Sequence, residues 1–155
     1  MVWAAGVHQI PLSRRTDVRV EAGPNRVIHV LVADCDCSAA VSEYLSARGP
    51  RPGWHESVWL VGGEVAWAER LREAGFDVAK DGPDRAAAAR IAGGPMMLVV
   101  AESGRIAWSG GYAQGAPKAG SEFRDIQVLR DLEAGREPSD QVAIGCPHAN
   151  RTAPQ

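Results

Sequence analysis

Val27-Ile-His-Val-Leu-Val-Ala-Asp-Cys-Asp-Cys-Ser38 decides how the chain is read. Its first seven residues form a compact, β-branched apolar run of the kind a strand buried on both faces shows. Asp34-Cys-Asp-Cys-Ser38 ends that run, and Ala39–Arg48 follows with Ala40, Val41, Tyr44 and Leu45 on one helical face. Asp36 or Ser38 can cap that helix. A strand therefore runs into a helix, and Cys35 and Cys37 stand at the junction.

Downstream, the pattern repeats. Val58-Trp-Leu-Val61 reads as a second buried strand, closed by Gly62-Gly63. Glu64–Ala74 reads as a helix with Val65, Ala68 and Leu71 inward and Gly75 as its stop. Phe76–Ala79 is a short strand, and Asp84–Ala92 a short helix stopped by Gly93-Gly94. Pro95 opens the strand Met96–Ala101, which turns at Glu102-Ser-Gly104 and returns as Arg105–Ser109. Ser121–Gly135 is the last helix, with Phe123, Ile126, Leu129 and Leu132 at intervals of three. Alternating strands and helices give parallel crossovers, and the closing hairpin makes the sheet mixed. The expected fold is α/β, a single domain with a central mixed sheet flanked by helices on both faces. Residues 1–26, with one short candidate strand at Val18–Glu21, read as an N-terminal extension. The domain runs over 27–148, and 149–155 reads as a flexible tail.

Composition narrows the function classes. The chain has 155 residues, 45% hydrophobic and 23% charged, with a formal net charge of −2. That is one domain's length and an ordinary globular composition. No basic surplus exists to neutralise phosphates, so a nucleic-acid partner is not expected. No apolar run reaches the ~20 residues of a membrane helix. Met1–Ile10 lacks a charged leader, and Ser13-Arg14-Arg15 is followed by polar residues rather than the apolar stretch of an export signal.

The three cysteines are Cys35, Cys37 and Cys146. They allow three pairings, each leaving one thiol free. A Cys35–Cys37 bridge would close almost no loop and so hardly constrain the unfolded chain, which points to chemistry rather than stapling. In extended chain, residues two apart point the same way, so these two sulfurs could meet. At a helix N-terminus a thiolate is favoured by unpaired N–H groups and the macrodipole. Asp34 and Asp36 oppose that effect at Cys35.

The order and spacing of Cys35-Asp-Cys-Ser38, Gly94-Pro95, Glu102-Ser-Gly-Arg105, Trp108-Ser-Gly-Gly111 and Gly145-Cys-Pro147 resemble the thioredoxin-like superfamily, and are closest to its bacterial RedB-type and TlpA-like branches. The resemblance spans Val27 to His148. It implies a thioredoxin-like domain, with the proline at Pro95 cis and lying against the redox cysteines. It also implies that Gly94 and Pro95 bind the extended backbone of a protein partner. The departures are a one-residue spacer between the cysteines and Asp34 in place of the family's tryptophan.

The reading that follows is a thiol–disulfide oxidoreductase acting on a protein thiol or disulfide partner, with no cofactor. Cys35 is the nucleophile, Cys37 the first resolving thiol and Cys146 a second. One alternative is a metal-binding or metal-delivery protein. Cys146-Pro-His148 repeats the spacing of Cys35-Asp-Cys37, and Cys35, Cys37, Cys146 and His148 would suit zinc, copper(I) or an iron–sulfur cluster. The other is a redox-inactive binding module of the same fold. TlpA-like relatives work outside the cytoplasm behind an anchor; Met1–Ile10 would be its remnant, and without an anchor the compartment would be the cytoplasm. His29, mid-strand, reads as a core histidine with a satisfied hydrogen bond. Met96, Met97 and the tryptophans Trp59, Trp67 and Trp108 read as packing residues.

Overall fold

A computed structural model describes residues 8–10, 20, 23–91 and 93–147. In chain order the elements are β1 (His8–Ile10), β2 (Arg26–Val32), α1 (Asp36–Arg48), β3 (His55–Val61), α2 (Ala66–Ala74), β4 (Asp77–Ala79), α3 (Gly82–Ala88), β5 (Gly93–Gly94), β6 (Met96–Val100), β7 (Ile106–Gly110), α4 (Asp125–Glu133) and β8 (Ala143–Pro147). The main sheet has the order β4-β3-β2-β6-β7. β2 runs parallel to β3, and β3 to β4, whereas β6 is antiparallel to both β2 and β7. The architecture is thus mixed α/β, as composition and periodicity lead one to expect.

The Val27–Val32 run is central and buried along its length, and its alternation assigns the two faces. Val27 and Leu31 pack with Val41 and Leu45 of α1, Leu71 of α2, and Val128 and Leu129 of α4. Ile28 and Val30 pack on the other face with Ala86 of α3, Ile91 and Ala143. Helices therefore cover both faces, and the apolar area removed from water on each side of β2 is the main stabilising term, at about 25 cal/mol per Å².

Most element boundaries shift by a few residues from the sequence expectations, as where α2 starts at Ala66 rather than Glu64, and the shifts of three helices bear on the site or the core. α1 begins at Asp36 rather than Ala39, because Cys35 is its N-cap without any side-chain cap bond. Ser38 does not cap it: the Val32 N–H donates to Ser38 Oγ at 2.9 Å, which ties the end of β2 to the helix. α3 ends before the two glycines. Arg90 takes a left-handed φ of 56°, and the Arg90 and Ile91 N–H groups return to the carbonyls of Ala87 and Ala86. This is the double hydrogen-bonded helix end usually closed by glycine, here with arginine. Gly93 and Gly94 are left free to form β5. α4 is shorter than Ser121–Gly135, starting where Asp125 is buried.

A second, three-stranded sheet of order β1-β8-β5 was not anticipated from the sequence. β8 lies antiparallel between β1 (Ile10 with Ala143, His8 with Gly145) and β5 (Gly93 with Pro147, Gly94 with Cys146). Of the candidate strand Val18–Glu21, only Val20 falls within the described residues; its N–H donates to the Gly104 carbonyl at 2.8 Å.

Candidate functional site

The site begins at the end of β2. The Ala33 N–H still donates to the Val61 carbonyl at 2.8 Å, and the chain turns at Ala33-Asp34 as it leaves the strand. Cys35 has extended angles, φ −133° and ψ 118°, and Asp36 is the first helical residue. That abrupt change places Cys35 at the mouth of α1, where the helix leaves its first N–H groups without helical partners.

Cys35 is disulfide-bonded to Cys146 across 111 residues, with their Cα atoms 5.9 Å apart. Cys35 is buried, with 4% of its surface exposed, whereas Cys146 is half-buried. The Cys35 sulfur also lies 3.9 Å from the Gly94 carbonyl oxygen. In the disulfide it carries no proton, so this is a contact rather than a hydrogen bond. The Gly94–Pro95 peptide bond is cis.

Glycine is required here for room. A Cβ on Gly94 would stand 2.5 Å from the Val30 carbonyl oxygen, and one on Gly145 would collide with the Gly94 carbonyl and Pro95 Cδ. β5 can therefore lie flat between β2 and β8 only because neither residue has a side chain.

Cys37 is the free thiol, partly buried in the first turn of α1. Burial, and then the neighbouring Asp36 carboxylate, push its thiol above the ordinary cysteine range, against a smaller lowering by a backbone hydrogen bond. The extended geometry that would have let Cys35 and Cys37 meet does not occur, because Cys37 lies inside the helix. Residues two apart do not share a helical face.

The structure thus brings Cys35, Cys146, Gly94 and Pro95 together, with Cys37 two residues along from Cys35. The fourth member of the metal alternative, His148, lies outside the described residues. Among the described residues no three His, Cys, Asp or Glu side chains gather as metal ligands. With Cys35 and Cys146 bonded to each other, neither offers a thiolate to a metal. Also among the described residues, no helix is long and apolar enough to cross a membrane.

Sequence reasoning missed what holds the far end of α1. Arg48 donates to both Glu56 oxygens at 3.0 and 2.7 Å, and to Asp125 Oδ2 at 2.9 and 3.1 Å. The Tyr44 hydroxyl donates to Asp125 Oδ1 at 2.7 Å. His29 Nε2 is 2.7 Å from Glu56 Oε1, and its Nδ1 is 2.7 Å from the Tyr112 hydroxyl. Burial by itself pushes the Glu56 carboxyl up, but the hydrogen bonds from His29 and Arg48 outweigh it, and its pKa falls to about 2. Glu56 is therefore ionised and accepts, so His29 Nε2 carries the hydrogen. Burial holds Tyr112 protonated, far above the ordinary phenol range. The only hint in the sequence was an acidic residue at the head of an apolar strand.

No family model matches the chain, and no curated protein matches it. Similar solved structures include the following two. A hypothetical protein from Sinorhizobium meliloti 1021 aligns at a TM-score of 0.56 with 19% identity, covering 80% of this chain and 78% of that one. An uncharacterized conserved protein from Geobacillus kaustophilus aligns at a TM-score of 0.66 with 16% identity, covering 96% and 93%. At such identities the likeness is one of fold, a mixed α/β domain.

Proposed function

We propose that the protein is a thiol–disulfide oxidoreductase of thioredoxin-like architecture that acts on a protein partner, with Cys35 and Cys146 as its exchanging pair. The observation that carries this reading is the Cys35–Cys146 bond at the mouth of α1. Further support comes from the central strand that delivers Cys35 and from the Gly94–Pro95 segment against its sulfur.

The chemistry follows from exposure and charge. A partner thiolate attacks the sulfur of Cys146, the more exposed of the two. A mixed disulfide forms between partner and Cys146, and the Cys35–Cys146 bond breaks. Cys35 leaves as a thiolate at the helix mouth, where the N–H groups and the macrodipole stabilise negative charge. A second partner thiolate then attacks the partner's sulfur in the mixed disulfide, closing a partner disulfide and releasing Cys146 as a thiolate. The chain gains two electrons, and the two protons lost by the partner's thiols balance those its own thiols take up. In the reducing direction the Cys35 thiolate, favoured at the helix mouth, attacks a partner disulfide and expels one partner thiolate; the Cys146 thiolate then attacks the Cys35 sulfur of that mixed disulfide, re-forms the Cys35–Cys146 bond and releases the second partner thiolate. Burial and Asp36 raise the Cys37 thiol above the ordinary cysteine range, which keeps it a slow nucleophile at neutral pH.

Exchange with glutathione disulfide tests the assignment. The reduced chain should close Cys35–Cys146 and release two glutathiones per chain. Cys146→Ser should stop after one, as a mixed disulfide, and Cys37→Ser should still release two. A Cys37→Ser chain that stops after one glutathione, with Cys146→Ser releasing two, reverses the assignment.

A further inference from the structure

We infer that β8 is an internal stand-in for the partner's strand, and that the β5 edge it covers takes an extended polypeptide segment with glycine immediately before its cysteine. This deepens the exchange reading above and rests on it.

A partner in mixed disulfide with Cys35 must bring one sulfur to that position and settle its backbone beside Gly94. β8 meets both conditions: Cys146 is bonded to Cys35 and is the antiparallel register partner of Gly94. The residue before that cysteine meets a fixed wall. A Cβ at position 145 would run into the Gly94 carbonyl and Pro95 Cδ, which are backbone and ring atoms that cannot rotate aside. The edge therefore selects glycine at that place in any strand that replaces β8.

β8 is also attached unevenly. Its base is anchored: the Gly111 N–H donates to the Gln141 carbonyl at 3.0 Å, Gln141 Nε2 donates to the Ala113 carbonyl at 2.8 Å, and Ala143 is buried in the core. Its far half, with Ile144 and Cys146 half-buried and Pro147 exposed, meets β5 over two register pairs and is tied across it by the disulfide. β1 pairs along the outer edge of β8, on the side away from β5. Breaking the Cys35–Cys146 bond removes the one covalent tie, β8 swings out beyond Ala143, and the Gly93–Gly94 N–H and C=O groups become free to pair by strand addition.

Two measurements on the full chain test this. In the first, a Cys37→Ser, Cys146→Ser double variant keeps Cys35 alone. It is mixed with the peptides Val-Ala-Ile-Gly-Cys-Pro and Val-Ala-Ile-Ala-Cys-Pro, each carrying its cysteine as a thiopyridyl disulfide. The Gly-Cys peptide should form the mixed disulfide with Cys35 about tenfold faster or more, from the cost of one overpacked methyl. Equal rates from a Cys35 that also reacts with glutathione disulfide overturn the glycine selection and leave exchange standing. A Cys35 inert to both peptides and to glutathione disulfide overturns exchange itself and this inference with it. In the second, hydrogen exchange of the wild-type chain needs no variant. Reduction should speed the amides of Ile144, Gly145, Cys146 and Gly94 while β2, β3 and β6 keep their protection; unchanged protection over 144–146 overturns the release of β8.

Discussion

Gly94 and Cys146 face each other as register partners, while the sulfur of Cys146 is bonded to Cys35, whose own sulfur lies 3.9 Å from the Gly94 carbonyl oxygen. One short strand is thus held twice at the same point, through its backbone and through its side chain. The consequences divide into stability, room, acid response and thiol reactivity.

The bond joins residues separated by 111 positions, so it restricts the unfolded chain strongly. Reduction, or Cys146→Ser, should lower unfolding stability by about 2–5 kcal/mol. Urea titration with and without reductant measures this. A midpoint indifferent to reductant would mean that the bond is absent from the native protein or is offset by strain.

Gly145→Ala places a methyl group against the Gly94 carbonyl and Pro95. The expected cost is about 1–3 kcal/mol, with slower closure of the Cys35–Cys146 bond on oxidation. Thermal unfolding reports the first effect and the rate of thiol loss the second. A variant that closes its disulfide at the wild-type rate contradicts the packing described.

Acid should loosen the far end of α1. Glu56 has a folded pKa of about 2, against 4.5 as its ordinary value. The unfolded chain binds more protons between those values, so stability rises with pH there. The contribution from Glu56 is complete above about pH 4.5 and is lost as pH falls toward 2. Glu56→Gln should flatten that part of the stability profile, measured by urea titration at stepped pH; an unchanged slope contradicts the role of the His29 and Arg48 bonds.

Arg48→Ala leaves the buried Glu56 and Asp125 carboxylates without their shared cation. A loss of about 3–5 kcal/mol is expected, because both charges remain buried. A loss below about 1 kcal/mol, the size of an exposed pair, would show that the cluster is solvated.

Cys37 should alkylate slowly at neutral pH, since burial and Asp36 hold its thiol above the ordinary range. Its rate should climb as pH passes beyond that range. Asp36→Asn removes the second of these causes and should raise the neutral-pH rate with iodoacetamide. A rate unmoved by Asp36→Asn leaves burial as the sole cause.

The strand–helix order was legible because Val27–Val32 and Val58–Val61 are apolar runs too continuous for a half-exposed sheet, and the glycines at 62, 63 and 75 punctuate them. The start of α1 was not, since an uncapped cysteine at the N-cap leaves no capping signal. That error of a few residues put Cys37 in extended chain and suggested that it could meet Cys35. β1, β5 and β8 were illegible for a different reason. They pair through backbone groups between segments far apart in the chain, and glycines confer no periodicity. The end of α3 was hidden because Arg90 does what glycine usually does. The Arg48–Glu56–Asp125 cluster joins a helix end, a strand start and a helix start, and no spacing rule connects them.

The proposed exchange requires that Cys35 and Cys146 form a reversible two-electron couple while Cys37 stands apart. Full-length protein equilibrated across a glutathione redox series, acid-trapped, alkylated and mapped by mass spectrometry reads this directly. Cys35 and Cys146 should lose their label together along one two-electron curve, with Cys37 labelled throughout. Cys37 titrating with either of them, or a Cys35–Cys146 bond that does not respond to the series, would contradict it.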